Sequence, residues 1–389
     1  MTGVPPIPFH RPSIGPDEEA AVLDVLRSGW LTTGEQAVTF EAALREATGA
    51  RHAIAVSSAT AAMHLALEAA GVGPGDEVVV PTYTFAACGE VVHYLGARVR
   101  LVDVDRRTLN ATVETIAAGL GERTRAVIVV HVGGLMADMA PIVGLARERG
   151  LFVLEDAAHA LPSRRDGRSA GTVGDAGALS FYATKPVTTG EGGALLTASD
   201  KVAERARLMR LHGLSHDAWR RYLDAGSWYY EIEEIGFKYN LTDLAAAIGI
   251  AQLRRAGALR DRREAIARGY AARIAAHRDL ADAIELPAAA AAGDVHAWHL
   301  FPIRLRDRPV GARAAVIRRL AAAGIGTSVH FIPLHLHPFY RRTYGYTPGD
   351  FPVATAEYER EISLPIFPDL GDADLDRVVE ALAAALAAG

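Results

Sequence analysis

Residues 151–160 read Leu-Phe-Val-Leu-Glu-Asp-Ala-Ala-His-Ala. The apolar run Leu151–Glu155 has strand length, and it is followed at once by Asp156 and, three residues later, His159. It lacks the polar–apolar alternation of a half-exposed strand, which fits a strand covered on both faces. Six further short runs flank it, several of them similarly continuous: His52–Val56, Glu77–Val80, Val99–Val104, Ala126–His131, Ala178–Tyr182 and Gly193–Leu196. Helical stretches such as Ala61–Ala70, Phe85–Tyr94 and Met139–Arg149 lie between them, ended by glycine or turn signals. Strand–helix alternation predicts a mostly parallel α/β sheet. Open sheets of that kind bind ligands at their carboxyl edge, where Asp156 falls.

The chain has 389 residues, which favours two domains. A long helix over Asp243–Ile274, rich in Ala, Leu and Arg, is predicted to lead out of the first. The division is drawn at 1–255 for a large domain and 256–389 for a small one. The small unit is predicted to hold a helix at Ala312–Ala323, a strand at Thr327–Phe331 and an Ala-rich helix from Asp374. Ala289–Gly293 reads as a loop. No internal repeat is evident.

Half the residues are hydrophobic and 22% are charged, a globular profile. The formal net charge of -5 and a pI near 6.3 give no electrostatic footprint for nucleic acid or an anionic membrane. The single cysteine, Cys88, can form neither an intrachain disulfide nor a thiolate zinc site. With no signal pattern and no membrane-length apolar run, a cytoplasmic location is expected.

Four segments carry candidate chemistry. Ser57-Ser58-Ala59-Thr60 joins a strand to a helix, where free backbone N–H groups and hydroxyls make a phosphate cradle. A plain helix cap by Ser58 or Thr60 is the alternative. Asp156, buried at a strand end, needs a cationic or hydrogen-bonding partner such as a protonated pyridine nitrogen; capping the next turn is the alternative. Lys185 follows the strand Leu179–Tyr182 and precedes the turn Thr189-Gly190-Glu191-Gly192-Gly193, a place where a desolvated Schiff-base lysine can be held. Gly236-Phe237-Lys238-Tyr239-Asn240-Leu241-Thr242-Asp243 opens the long helix, with a cap by Thr242 or Asp243 as its ordinary role.

Their order resembles the sugar aminotransferases of the DegT/DnrJ/StrS family, a branch of the fold type I aspartate aminotransferase superfamily. The resemblance runs from Ser28-Gly29-Trp30-Leu31-Thr32-Thr33-Gly34 through GVGPGDEVVVP (71–81), EDAAHA, SFYATK, TGEGG and GFKYNLTD. It continues to His330-Phe331-Ile332-Pro333-Leu334-His335 and Leu364-Pro365. It implies a pyridoxal-phosphate-dependent fold with a large domain, built on a mostly parallel seven-stranded sheet, and a smaller C-terminal α/β domain. Lys185 would bind the cofactor covalently and later shuttle a proton, and Asp156 would pair with the pyridine nitrogen. Ala59, Thr60 and Ser180 would hold the phosphate, and Asn240 would reach it from the neighbouring subunit of a homodimer. His159 would meet the phenolic oxygen and Phe85 would stack on the ring. His330, Trp30 and Thr33 are assigned to substrate.

The resemblance also implies L-glutamate as amino donor and a nucleotide-linked keto sugar as acceptor. Lys238-Tyr239-Asn240 with Gln252-Leu253 looks more like the 4-aminotransferases, which points to a dTDP- or UDP-linked 4-keto-6-deoxyhexose. Ala- and Arg-rich usage suggests a GC-rich bacterial source, where such deoxyamino sugars decorate secondary metabolites. A 3-keto acceptor is the alternative, and a sugar 3-dehydratase is a second class; those relatives carry His where Lys185 stands. A non-enzymatic sugar-binding protein would have lost this machinery, which is present.

Three features are set aside. Gly71-Val72-Gly73-Pro74-Gly75 has the wrong spacing and strand order for a dinucleotide fingerprint, and reads as a turn. His335-Leu336-His337 has metal-like spacing but no acidic or cysteine partners, so no metal is expected. The aromatic stretch Trp219, Tyr222, Trp228, Tyr229 and Tyr230 suits a nucleotide-sugar or dimer contact as well as packing on the large domain.

Overall fold

All seven apolar runs become strands of one sheet. The structure is a computed structural model, and it describes residues 5–215, 230–307 and 309–387. Two helices come first, α1 (Pro16–Ser28) and α2 (Glu35–Thr48). There follow β1 (His52–Val56), α3 (Ala59–Ala69), β2 (Glu77–Pro81), α4 (Ala87–Tyr94), β3 (Arg98–Val102), α5 (Val113–Gly119), β4 (Thr124–Val130), α6 (Met139–Glu148) and β5 (Phe152–Asp156). A short hairpin, β6 (Arg164–Arg165) and β7 (Arg168–Ser169), leads to β8 (Ala176–Ser180), β9 (Gly193–Thr197) and α7 (Asp200–Met209). The long α8 (Asp243–Ala276) precedes α9 (Arg278–Ala283), β10 (Ile284–Glu285), β11 (Phe301–Leu305) and α10 (Ala312–Ala322). Last come α11 (Pro338–Tyr344), α12 (Pro352–Arg360), β12 (Glu361–Leu364) and α13 (Asp372–Ala387).

The sheet order is β1-β9-β8-β5-β4-β2-β3, with only β9 antiparallel to its neighbours. Its central strands are apolar on both faces because both are covered. Val78, Val80, Ile128 and Leu154 pack with α3 and α4 on one side, while Val79, Val127, Val129 and Val153 pack with α5 and α6 on the other. Each such side chain, fully buried, contributes about 1.5–3 kcal/mol, which holds the strand ends where the ligand edge needs them.

A second core gathers Ile266, Tyr270 and Ile274 of α8 with Phe301, Ile303, Ile362, Val378 and Leu382 around the sheet β10-β11-β12. Ile7 joins it by bridging to Ile325. α8 spans both cores: Ala246 and Ala256 pack with Phe40, and Ile266 onward packs in the second cluster. Residue 255 thus lies inside a continuous helix.

The strand predicted at Thr327–Phe331 is corrected by the structure. Only Ser328 pairs there, exchanging backbone hydrogen bonds with Ser363 at 2.9 and 3.2 Å. The next donor in the run, the His330 N–H, is taken by the Glu361 carboxylate at 2.9 Å, so the ladder stops.

Candidate active site

Three strands deliver their last residues to one edge. Val56 ends β1, Ser180 ends β8 and Asp156 ends β5, while Gly193 opens β9 between Val56 and Ser180. Directly beyond Val56 the chain turns into α3. Ser58 caps that helix, its hydroxyl accepting the Ala61 N–H at 3.1 Å. The N–H groups of Ala59 and Thr60 take no hydrogen-bond partner among the described residues. Two free donors at the positive end of an eleven-residue helix make an anion site. The Ser180 hydroxyl flanks it, accepting the Tyr182 N–H at 3.4 Å.

Gly193 makes this crowding of backbones feasible. A Cβ there would stand 2.2 Å from Ser58 C, 2.4 Å from Ser58 O and 2.5 Å from Ala59 N. The helix N-terminus rests directly on the first residue of β9, a contact only glycine allows.

Asp156 is buried, at 7% exposure. Its Oδ1 closes the following turn by accepting the Ala158 N–H at 3.1 Å. Its Oδ2 accepts from the Cys88 thiol at 3.0 Å, and the Thr84 hydroxyl donates to Cys88 Sγ at 3.1 Å. Burial, then the Asp156 charge, push the thiol well above its usual pKa, so it stays a donor. No ion pair reaches Asp156 among the described residues.

Lys185 sits on the far side of a turn in which its N–H donates to the Tyr182 carbonyl at 2.9 Å. Desolvation brings its ammonium from 10.5 down to about 8, and Asp156 opposes the fall. The whole chain has three lysines, Lys185, Lys201 and Lys238. Lys201 lies exposed on α7 and Lys238 is exposed and bonded to Asn240 Oδ1. Lys185 alone lines the cavity.

Histidines and aromatics cover the site. His159 Nδ1 accepts the Gly133 N–H at 3.3 Å, which leaves the proton on Nε2. Its ring stacks on Phe331 at 5.6 Å and tilts against His299 at 4.3 Å. Burial, then the Lys185 charge, hold His159 well below its usual pKa. His299 is lowered by the same burial and by His159, and its Nδ1 is buried with no partner among the described residues. His330 is pushed down to about 4 by burial and then by Lys185. Phe85, 62% exposed, stands 6.1 Å from Phe331 at the mouth.

Together these residues enclose a cavity of about 500 Å³. Of the residues singled out from sequence, Ala59, Thr60, Phe85, Asp156, His159, Ser180, Lys185 and His330 all line it. Trp30, Thr33 and Asn240 do not. Asn240 Nδ2 donates to the Thr33 hydroxyl at 2.7 Å, that hydroxyl donates to the Leu241 carbonyl at 2.5 Å, and Trp30 Nε1 donates to the Thr33 carbonyl at 3.2 Å. This trio lies where α2 and α8 begin, and Trp30 lines a separate hollow with Asp243 and Arg254. Sequence reading missed Thr84, Cys88, His299 and Phe331. No local pattern marks them, since each reaches the site through a long-range contact. His335 is engaged elsewhere, with Thr82 at 2.7 Å and Thr355 at 3.0 Å. Trp219, Tyr222, Trp228 and Tyr229 lie outside the described residues, and Tyr230 is exposed.

A desolvated lysine, a buried carboxylate with no ion pair among the described residues and a helix-end anion cradle converge at the carboxyl edge of an α/β sheet, an arrangement that fits a pyridoxal-phosphate transferase site. The chain belongs to the DegT/DnrJ/EryC1/StrS aminotransferase family, whose model matches residues 12–383. It is 44% identical over 378 residues to the spore coat polysaccharide biosynthesis protein SpsC of Bacillus subtilis, covering 97% of this chain and 96% of that one. Among solved structures, the putative sugar aminotransferase Spr1654 of Streptococcus pneumoniae in its PMP form superposes with a TM-score of 0.91 at 32% identity, covering 97% of this chain and 98% of that one. The aminotransferase TlmJ of Streptoalloteichus hindustanus gives 0.89 at 36% identity over 98% and 99%. Spr1654 has also been solved in a PLP form. The protein is accordingly a pyridoxal-phosphate-dependent sugar aminotransferase with the fold of that class. No helix among the described residues is long and apolar enough to cross a membrane.

Proposed function

We propose that this enzyme moves an amino group from L-glutamate to C4 of a dTDP-linked 4-keto-6-deoxyhexose. The observation that carries the chemistry is Lys185, the one cavity lysine, with its ammonium lowered to about 8. At neutral pH a useful fraction is free amine, fit both to bind an aldehyde and to move a proton. The sugar assignment rests on the likeness of Lys238-Tyr239-Asn240 and Gln252-Leu253 to the 4-aminotransferases.

Bound pyridoxal phosphate supplies an electron sink and carries the amino group between the two substrates. The rest is work for the chain. Ala59 and Thr60 N–H and the Ser180 hydroxyl would bind the phosphate, and Asp156, its position fixed by Ala158 and Cys88, would hold a proton on the ring nitrogen. The His159 Nε2–H would donate to the phenolic oxygen, since Nδ1 is spent on Gly133. Phe85 would cover one ring face. Lys185 Nζ would take the proton from the amino-bearing carbon of the donor and deliver it to the bound cofactor, and in the second half-reaction it would carry a proton the other way, onto the acceptor carbon. His330 faces the substrate.

Asn240, Thr33 and Trp30 act in the neighbouring site of a homodimer in this reading. Their cluster is tied together outside their own cavity, and Asn240 bridges to Val56 at the margin of the sheet. We also propose the domain division at 1–255 and 256–389, with α8 as the shared strut.

Incubation of the cofactor-loaded protein with L-glutamate and dTDP-4-keto-6-deoxyglucose, followed by mass spectrometry and NMR, tests the reading. The expected products are 2-oxoglutarate and a C4-aminated sugar nucleotide. Formation of 2-oxoglutarate without sugar product rejects this acceptor, and the UDP-linked 4-keto sugar and 3-keto sugars are then assayed in turn.

A further inference from the structure

His330 belongs to a buried relay as well as to the cavity. Its Nδ1 lies 2.9 Å from Ser363 Oγ, and Ser363 Oγ lies 2.5 Å from Glu361 Oε1. Glu361 Oε2 accepts the His330 backbone N–H at 2.9 Å, which closes the ring of contacts. Glu361 and Ser363 are both fully buried on β12, Ser363 is pinned by its backbone exchange with Ser328, and Phe9 stacks on the imidazole at 5.4 Å. The imidazole is therefore fixed, and only its proton is free to change place.

Counting hydrogens shows what the relay does. A serine hydroxyl has one proton, so Ser363 cannot donate to both neighbours. When Glu361 is ionised it must accept from Ser363, so Nδ1 must carry its own proton and donate to the hydroxyl oxygen. His330 Nε2 is then an acceptor facing the cavity. When Glu361 is protonated it donates to Ser363, the hydroxyl donates to Nδ1, and the proton of the neutral imidazole sits on Nε2 as a donor.

We propose that Glu361, acting through Ser363, sets the tautomer of His330 and so decides whether substrate meets a donor or an acceptor at Nε2. The exchange balances as a proton wire. The Glu361 hydrogen passes to Ser363 Oγ, the Ser363 hydrogen passes to Nδ1, and the hydrogen on Nε2 leaves through the cavity to solvent. One proton is lost overall, and no other co-reactant is needed. Ser363 and Glu361 are positioning residues in this scheme, and neither touches substrate.

The surroundings favour the donor form at neutral pH. Burial raises Glu361 to about 8, opposed by Ser363, the His330 N–H and the charges of Arg313 on α10 and Arg304 on β11. Tyr83 after β2 also faces Glu361, beside Glu357 of α12, while Lys185, His159 and His299 face His330 across the cavity. An Nε2–H donor suits an oxygen acceptor on the substrate, a carbonyl or carboxylate. Only this last step rests on the transaminase reading.

The test is long-range proton–nitrogen NMR of histidine-labelled, cofactor-loaded protein without any sugar, so a wrong acceptor leaves it unaffected. Wild type should show His330 protonated on Nε2 near pH 6.5 and shifting to Nδ1 as pH rises through about 8. Glu361→Gln, whose amide donates to Ser363 at every pH, should hold Nε2–H throughout. Ser363→Ala should uncouple the tautomer from this titration. The wild-type titration stands without either variant. Nδ1–H at pH 6.5, or a tautomer that ignores both pH and Ser363→Ala, overturns the proposal.

Discussion

Gly193→Ala tests the phosphate cradle without touching a polar group. The added Cβ would meet Ser58 C at 2.2 Å, and every close neighbour is backbone, so no side chain can swing aside. Reaching ordinary carbon–carbon contact, about 3.5–4.0 Å, requires β9 and the start of α3 to part by roughly 1.3–1.8 Å. Such overpacking costs about 1–3 kcal/mol of stability. The same shift carries the Ala59 and Thr60 N–H groups off their aim. Hydrogen bonds to a charged group are worth about 1.5–3 kcal/mol each, so weakening one or two should raise the cofactor Kd by about 10- to 100-fold. Fluorescence titration of apo protein with pyridoxal phosphate measures it directly. Gly144→Ala is the control, because its Cβ would meet nothing within 4 Å. A Gly193→Ala protein that binds within about twofold of wild type would refute the cradle reading, because that difference is below 0.5 kcal/mol.

Four further outcomes are expected. The rate at which apo protein captures pyridoxal phosphate should rise with pH through a midpoint near 8, since only the neutral Lys185 amine attacks. Asp156→Asn should move that midpoint down, because the carboxylate is what holds the ammonium up; an unshifted midpoint near the ordinary lysine value of about 10.4 contradicts the burial argument. Asp243→Ala should lose at least about 2 kcal/mol in chemical denaturation, because its buried carboxylate accepts the N–H groups of Gly34, Gln36 and Ala37 at the start of α2. Mixed dimers of Lys185→Ala with Asn240→Ala should exceed the activity of either variant alone, since one site regains both residues; no gain places Asn240 outside the neighbouring site.

The large domain was legible because most residues of its strands are buried. Runs such as Ala126–Val130 and Val78–Val80 are apolar throughout, and chemistry gathers just past the strand ends, as Asp156 at the end of β5 and Lys185 beyond the end of β8 illustrate. The small sheet was not legible for the opposite reason. β11 contains Pro302 and the buried Arg304, and β12 opens with the buried Glu361, so neither reads as an apolar strand. Thr327–Phe331 looked more like one, but its donors are spent on Ser363 and Glu361. Thr84, Cys88 and His299 were beyond local pattern. Cys88 meets Asp156 from 68 residues away, a pairing set by tertiary packing and not by local sequence. Asp243 is the subtler case: a cap was foreseen there, but Thr242 caps α8 and Asp243 caps α2.

The central claim is that Lys185 holds the cofactor, and with three lysines in the chain it can be tested cleanly. Borohydride reduction of the cofactor-loaded protein, followed by peptide mass mapping, should place the pyridoxyl group on Lys185. Label on Lys201 or Lys238, or none at all, would contradict the account.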